Sequence, residues 1–231
     1  LIALKTRRPH LAAADGSRFA AYVAEPATAP RGAIIVLQEI FGVNSHIRAV
    51  ADGYAEAGYL AVAPETFARV RSDVDFGYTP DEIRQGAALK AEVEALPAPG
   101  VLQDIQAAVL FAARAGKVGM VGYCWGGLLT WRAAEKLDGL SAAVTYYGGG
   151  MTVGDEPSRR PRVPVMSHFG IKDPHIPVDG ARRFGQLQPQ VEVHLYEADH
   201  GFNCDQRGSF NAGAAKTALE RSLFHFKKYL A

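Results

Sequence analysis

Cys124 stands at the centre of Gly122-Tyr123-Cys124-Trp125-Gly126-Gly127, with one glycine two residues before it and another two after. The apolar run Val118-Gly119-Met120-Val121 precedes this stretch and the helix-forming segment Leu128 to Ala134 follows it, so the cysteine falls on a strand-to-helix turn. Such a turn presents a nucleophile on a strained backbone, and side chains at the flanking glycine positions would collide with the adjoining strand and helix. The competing reading is a buried thiol that packs as a small hydrophobe; the motif in its strand and helix context favours the nucleophile. A thiol that is to attack needs a base to take its proton and an acid to orient that base. Asp173 and His200 follow in that order, each in a polar loop just beyond an apolar run. In this reading His200 takes the proton of Cys124, and Asp173 fixes the tautomer of His200 and stabilises its cation. An oxyanion formed on the attacked carbonyl calls for preorganised donors, here the backbone N–H of Trp125 and one from the loop at Ile40.

The other histidines fit these roles less well. His168 and His194 lie within strand patterns, His175 precedes the strand that must carry the base, and His10, His46 and His225 are remote in chain order. Asp199 competes with Asp173 as the acid, but a neighbour of the base on the same loop is poorly placed to face its Nδ1. Phe41, Tyr123 and Tyr147 adjoin the reactive loops and are expected to line the substrate.

These residues need a scaffold that ends several strands along one edge. Gly32 to Leu37 is a continuous β-branched run, expected as a central parallel strand covered on both faces. It ends in Gln38-Glu39-Ile40-Phe41-Gly42-Val43-Asn44, at the carboxyl edge where open sheets bind ligands. Asn44 caps a helix with the stripe Ile47, Val50, Tyr54 and Ala57, closed by Gly58. Further strands are expected at 17–23, on a sheet edge, and at 60–64, 142–147, 163–170 and 191–196. Helices are expected at 100–115, 177–188 and 211–229, the last with a buried stripe of Leu219, Leu223, Phe226 and Leu230. Residues 65–99 form a loose excursion, part helical from Asp81 to Leu96, read either as a solvated surface or as a substrate-binding segment. Alternation of strands and helices without repeats gives an α/β fold, a doubly wound and mostly parallel sheet with helices on both faces.

Composition narrows the function classes. The chain has 231 residues, 48% hydrophobic and 21% charged, enough for one domain with a full core. A net charge of +1 offers no basic face for nucleic acid or an anionic membrane. There is no apolar run of membrane-spanning length and no signal-peptide layout, and two cysteines make no disulfide scaffold, so a cytoplasmic location is expected.

Taken together, the elbow at Cys124, the run from Gln38 to Asn44, Ala55-Glu56-Ala57-Gly58-Tyr59 leading to Pro64, the Asp173 loop and His200-Gly201-Phe202 resemble the dienelactone hydrolase (carboxymethylenebutenolidase) family of the α/β-hydrolase fold. The resemblance spans nearly the whole chain. It implies hydrolysis of a lactone or small ester through an acyl-thioenzyme, a small-molecule substrate, and no cofactor or metal; a monomer or weak homodimer is expected. It also implies that Glu39 holds the resting thiol until substrate displaces it toward the histidine; the alternative is a carboxylate that caps a loop. Two arginines of the family grip a substrate carboxylate. Arg84 matches the first, whereas the second position, four residues past His200, is Cys204, with Arg207 three residues further on as a substitute. Broader carboxylesterase or thioesterase activity, and a non-catalytic binding role on the same scaffold, are the alternatives.

Overall fold

Runs of Val, Ile, Ala and Leu with no alternation can be accommodated only where both faces of a strand are covered, and they form the middle of one sheet. The computed structural model describes residues 4–231. In chain order the strands are Lys5–Arg7 (β1), His10–Ala12 (β2), Arg18–Glu25 (β3), Ala33–Leu37 (β4), Leu60–Pro64 (β5), Val118–Tyr123 (β6), Leu140–Tyr146 (β7), Val165–Gly170 (β8) and Glu192–Tyr196 (β9). The helices are Ser45–Glu56 (α1), Pro80–Glu94 (α2), Leu102–Ala112 (α3), Trp125–Lys136 (α4), Val178–Leu187 (α5) and Ala212–Leu230 (α6). The strands make a nine-stranded sheet in the order β1-β3-β5-β4-β6-β7-β8-β9, with β2 also paired to β3. From β5 to β9 all neighbours are parallel, and β3 joins β5 antiparallel.

Helices cover both faces. On one face α1 packs against β3 to β5 and α6 against β6 to β8, and the two helices meet where the Tyr54 and Phe226 ring centroids lie 5.9 Å apart. On the other, α3 touches α4, and Trp131 of α4 meets Phe184 of α5 at 5.1 Å. Gly119 and Gly122 show how closely β6 is pressed from each side. A Cβ at Gly119 would stand 2.7 Å from the Phe226 ring, and one at Gly122 would overlap Thr130 and the Gly126 carbonyl.

Three expectations need correction. The strand at 18–25 is not the sheet edge, because β1 and β2, short polar segments without a readable alternation, flank it; brevity and charge are how natural edges avoid further pairing. The buried face of α6 is Ala214, Ala218, Ser222, His225, Phe226 and Leu230, whereas Leu219 is 41% exposed. Small residues let this helix approach the sheet, and Ser222 is tolerated inside because it bonds Tyr146 and His168. The excursion is neither loose nor simply solvated: Phe67 and Val74 are buried, and α2 starts on a complete capping box formed by Thr79 and Glu82.

Candidate active site

The turn from β6 into α4 holds Cys124 at φ 54° and ψ −117°, a left-handed conformation that costs a non-glycine residue about 1–3 kcal/mol. Packing enforces it. A Cβ at Gly126 would lie 2.5 Å from the carbonyl oxygens of Leu37 and Gln38, so α4 starts in direct backbone contact with the end of β4. The thiol so presented lies 3.2 Å from His200 Nε2. His200 sits in the loop after β9, and its Nδ1 is 2.7 Å from Asp173 Oδ2 in the loop after β8. The other oxygen of Asp173 accepts the backbone N–H groups of His175 and Ile176 at 2.8 and 3.1 Å, which fixes the carboxylate plane. Asp199 is turned away and accepts the backbone N–H of His200.

Burial of His200 opposes a charged ring, but the neighbouring charge of Cys124, the hydrogen bond with Asp173 and the bond to the thiol outweigh it and lift the imidazole to about 10. These neighbours therefore favour the protonated ring at neutral pH. The rings of Tyr147 and His175 pack edge-on against His200 at 5.1 and 5.0 Å.

The two amides expected to receive an oxyanion have no backbone acceptor among the described residues. Trp125 is the first residue of α4, so its N–H has no intrahelical acceptor. Ile40 lies in the loop after β4, and no described backbone group accepts from its N–H. That loop is held from several sides. Gln38 Oε1 accepts the Thr66 amide at 3.2 Å, Gly42 at φ +81° lies against the Val74 carbonyl, and Gly86 of α2 is pressed so closely on the Ile40 carbonyl that a Cβ would overlap it. The excursion thus braces the loop, and Glu94 at the end of α2 accepts the indole N–H of Trp125 at 2.8 Å.

Around this centre the substrate-facing expectations divide. Arg207 reaches the site: its Nη1 is 3.3 Å from Glu39 Oε1, and its guanidinium lies over the rings of Phe41 and Tyr78 at 5.6 and 5.8 Å. Glu39 is buried and engages Arg207, while the thiol engages His200. The contact between Glu39 and the resting thiol that the resemblance implies is therefore replaced by an ion pair with an arginine the family pattern does not require. Cys204 is 0% exposed, and its thiol donates to the Tyr78 hydroxyl at 3.2 Å, so it does not face the substrate. Burial, then the charge of Glu39, pushes that thiol up to about 11. Arg84 projects from the exposed side of α2, 71% accessible, and pairs with Asp81. Tyr123 is 1% exposed and packs on Tyr146 at 4.6 Å; strand alternation points the residue before the nucleophile into the core. Phe41 forms the floor beneath Arg207, and Tyr147, at φ 37°, carries a buried hydroxyl without a hydrogen-bond partner among the described residues.

A family model, the dienelactone hydrolase family, matches residues 19–230. The chain belongs to the dienelactone hydrolase family. The carboxymethylenebutenolidase of Pseudomonas putida is 33% identical over 217 residues, covering 90% of this chain and 91% of the relative. A crystal structure from Klebsiella pneumoniae, provisionally named a dienelactone hydrolase, superposes with a TM-score of 0.85 at 32% identity, covering 98% of this chain and 100% of that one. A dienelactone hydrolase-like promiscuous phosphotriesterase, P91, shares the fold at a TM-score of 0.75 and 20% identity over 98% of this chain and 99% of its own. This dienelactone hydrolase family member is accordingly an ester hydrolase on a mostly parallel α/β sheet.

Tyr78 and His46 were not among the residues expected at the site. An aromatic in a loop and a histidine on a helix carry no motif, and only their packing brings them beside Cys204, Glu39 and Arg207. Glu39, His46 and Cys204 form a group able to reach one ion. A groove of about 800 Å³ between α2, α3 and α4 shares no residue with the triad. Its cations Arg132, Lys136 and Arg159 are ion-paired with glutamates.

Proposed function

We propose that this chain hydrolyses a lactone or small carboxylic ester through a Cys124–His200–Asp173 triad and an acyl-thioenzyme. The supporting observation is the chain of contacts from Sγ to Nε2 at 3.2 Å and from Nδ1 to Oδ2 at 2.7 Å, built on a nucleophile at positive φ. With the proton on His200, the Cys124 thiolate attacks the carbonyl carbon and the C–O π pair moves onto oxygen, where the amides of Ile40 and Trp125 receive it. The pair then returns, the ester C–O bond breaks, and His200 protonates the leaving alkoxide. For a lactone that alkoxide stays tethered to the acyl group. Water, losing its proton to His200, next attacks the thioester and expels the Cys124 thiolate, releasing a carboxylic acid. Two free thiols fit a reducing cytoplasm.

Arg207 is the cation available to a substrate carboxylate, which would compete with Glu39 for its planar fork. A broader carboxylesterase reading is favoured by one feature: that guanidinium is already paired, and Cys204 adds no second charge. Acid-quenched intact-mass analysis with a slowly deacylated ester tests the mechanism. The acyl adduct is expected on the parent chain and absent from Cys124→Ala, whose turnover should fall by about 10⁴-fold or more. A folded Cys124→Ala protein with undiminished turnover would overturn it. Arg207→Ala should lower kcat/KM for an anionic lactone about tenfold or more relative to its neutral methyl ester; an unchanged ratio would favour the broader esterase.

A further inference from the structure

Glu39, His46 and Cys204 converge from three parts of the chain on one buried point: the loop after β4, the first turn of α1, and the loop that follows His200. Each offers a ligand atom, and the three atoms lie within 4.8 Å of one another. All three side chains are buried. Two of their polar atoms, Glu39 Oε2 and His46 Nε2, have no hydrogen-bond partner among the described residues. A buried polar atom left unpaired costs about 1–3 kcal/mol, more when it is charged, so two of them beside a thiol point to something that joins them.

We propose that Glu39, His46 and Cys204 form a binding site for a thiophilic divalent cation, with Zn²⁺ the best match. A carboxylate oxygen, an imidazole nitrogen and a thiolate are the ligand types that Zn²⁺ takes, at about 2.0–2.3 Å each, leaving a fourth position for water. Tetrahedral ligands at those lengths stand roughly 3.4–3.8 Å apart, a spacing that small side-chain movements reach from the observed one. One carboxylate, shared with Arg207, and one thiolate supply the two negative charges nearest the ion. Binding displaces the Cys204 thiol proton to solvent, and no electron changes hands.

The surroundings are arranged as supports for such ligands. His46 Nδ1 lies 3.6 Å from Asp205 Oδ1, so a proton held on that side leaves the Nε2 lone pair free, the carboxylate–histidine arrangement common around zinc. Arg207 occupies Oε1 of Glu39 and leaves Oε2 open. The Tyr78 hydroxyl accepts from both Cys204 and Asn44 Nδ2, at 3.2 and 3.0 Å. Its own proton is therefore available to a thiolate once Cys204 is ionised. The proposal does not depend on the triad, which uses Cys124, His200 and Asp173.

The test uses the full chain carrying Cys124→Ala, so that the thiol and imidazole of the triad cannot supply a competing pair of ligands. Titration with Zn²⁺ in metal-free buffer, followed by calorimetry, should show one equivalent bound. Co²⁺ in its place should give a thiolate-to-cobalt charge-transfer band with the visible absorption of a four-coordinate ion. In this background Cys204→Ser should abolish the charge-transfer band, and Cys204→Ser and His46→Gln should each weaken Zn²⁺ binding at least about tenfold. Circular dichroism identifies which variants are folded, and His46→Gln keeps the test open if Cys204→Ser is not. No saturable uptake at micromolar Zn²⁺, or affinity unchanged by either substitution in a folded chain, overturns the proposal.

Discussion

Cys124 and Asp173 both favour the imidazolium of His200, Cys124 foremost by its charge and Asp173 by a hydrogen bond. That asymmetry is testable. Cys124→Ser removes the charge that is the largest influence raising His200, so the imidazole pKa should fall from about 10 by one unit or more, measured by NMR titration of the ring. A pKa that stays near its present value would mean that Asp173 alone sustains the cation. A histidine whose folded pKa lies above its ordinary value contributes stability that is fully present below about 6.5 and is lost as pH rises through about 10. The parent should therefore lose this advantage over Cys124→Ser on moving into alkaline buffer. At this scale the contacts joining Cys124, His200 and Asp173 were legible, because each of the three sits in a local signature. Arg207 was named only as a substitute, His46 was set aside as remote in chain order and Tyr78 was not named at all, because nothing within a few residues of them signals a site.

The elements position these side chains through close backbone contact more than through side-chain bonds. Gly126 sets α4 against the end of β4, and Gly86 sets α2 against the Ile40 carbonyl. A methyl group at Gly86 has no space, so Gly86→Ala should push α2 and the Ile40 loop apart and displace the Ile40 amide, the proposed oxyanion donor. Loss of such a donor costs about 10²–10³ in kcat, and a displacement of about 1 Å costs on the order of 10². Gly86→Ala is therefore expected to lower kcat by about ten- to a hundredfold with a much smaller change in KM. Steady-state kinetics with an activated ester would check it, and an unaltered kcat would remove α2 from the catalytic arrangement. Helix boundaries such as the Asn44 cap and the Gly58 stop were readable locally. The role of the excursion was not, because Gly86 gains its meaning only from the carbonyl it touches.

Across the whole molecule, the parallel order of β4, β6, β8 and β9 brings the loops carrying Glu39, Cys124, Asp173 and His200 to one sheet edge. A second long-range tie lies beyond the end of β5. Arg69 in the excursion bonds Asp15 in the β2–β3 turn and Asp104 in α3, with contacts of 2.8 Å to each. Asp104 is almost fully buried, and burial outweighs its arginine to raise its pKa. Removing the cation leaves that carboxyl buried and unpaired, so Arg69→Met should destabilise the fold by about 3–5 kcal/mol, read from urea unfolding at neutral pH. A loss under about 1 kcal/mol would show that the pair is no stronger than a surface bridge. Because a carboxyl with a raised pKa is less costly to bury when protonated, the defect should shrink as pH falls.

The sequence by itself determined the strand-to-helix turn at Cys124, the order of Cys124, Asp173 and His200 along the chain, and the doubly wound sheet, because strand period, turn glycines and helix caps are encoded within a few residues of one another. It also marked Cys204 as a departure from the family pattern. Tertiary structure alone decided what that departure does. It buried Cys204 under Tyr78, set Arg207 against Glu39 where the thiol was expected, turned Arg84 to solvent and Tyr123 into the core, and brought His46 to Glu39. Each of these outcomes depends on contacts between segments far apart in the chain, whose approach is fixed by how the sheet stacks its loops and not by any local pattern of residues.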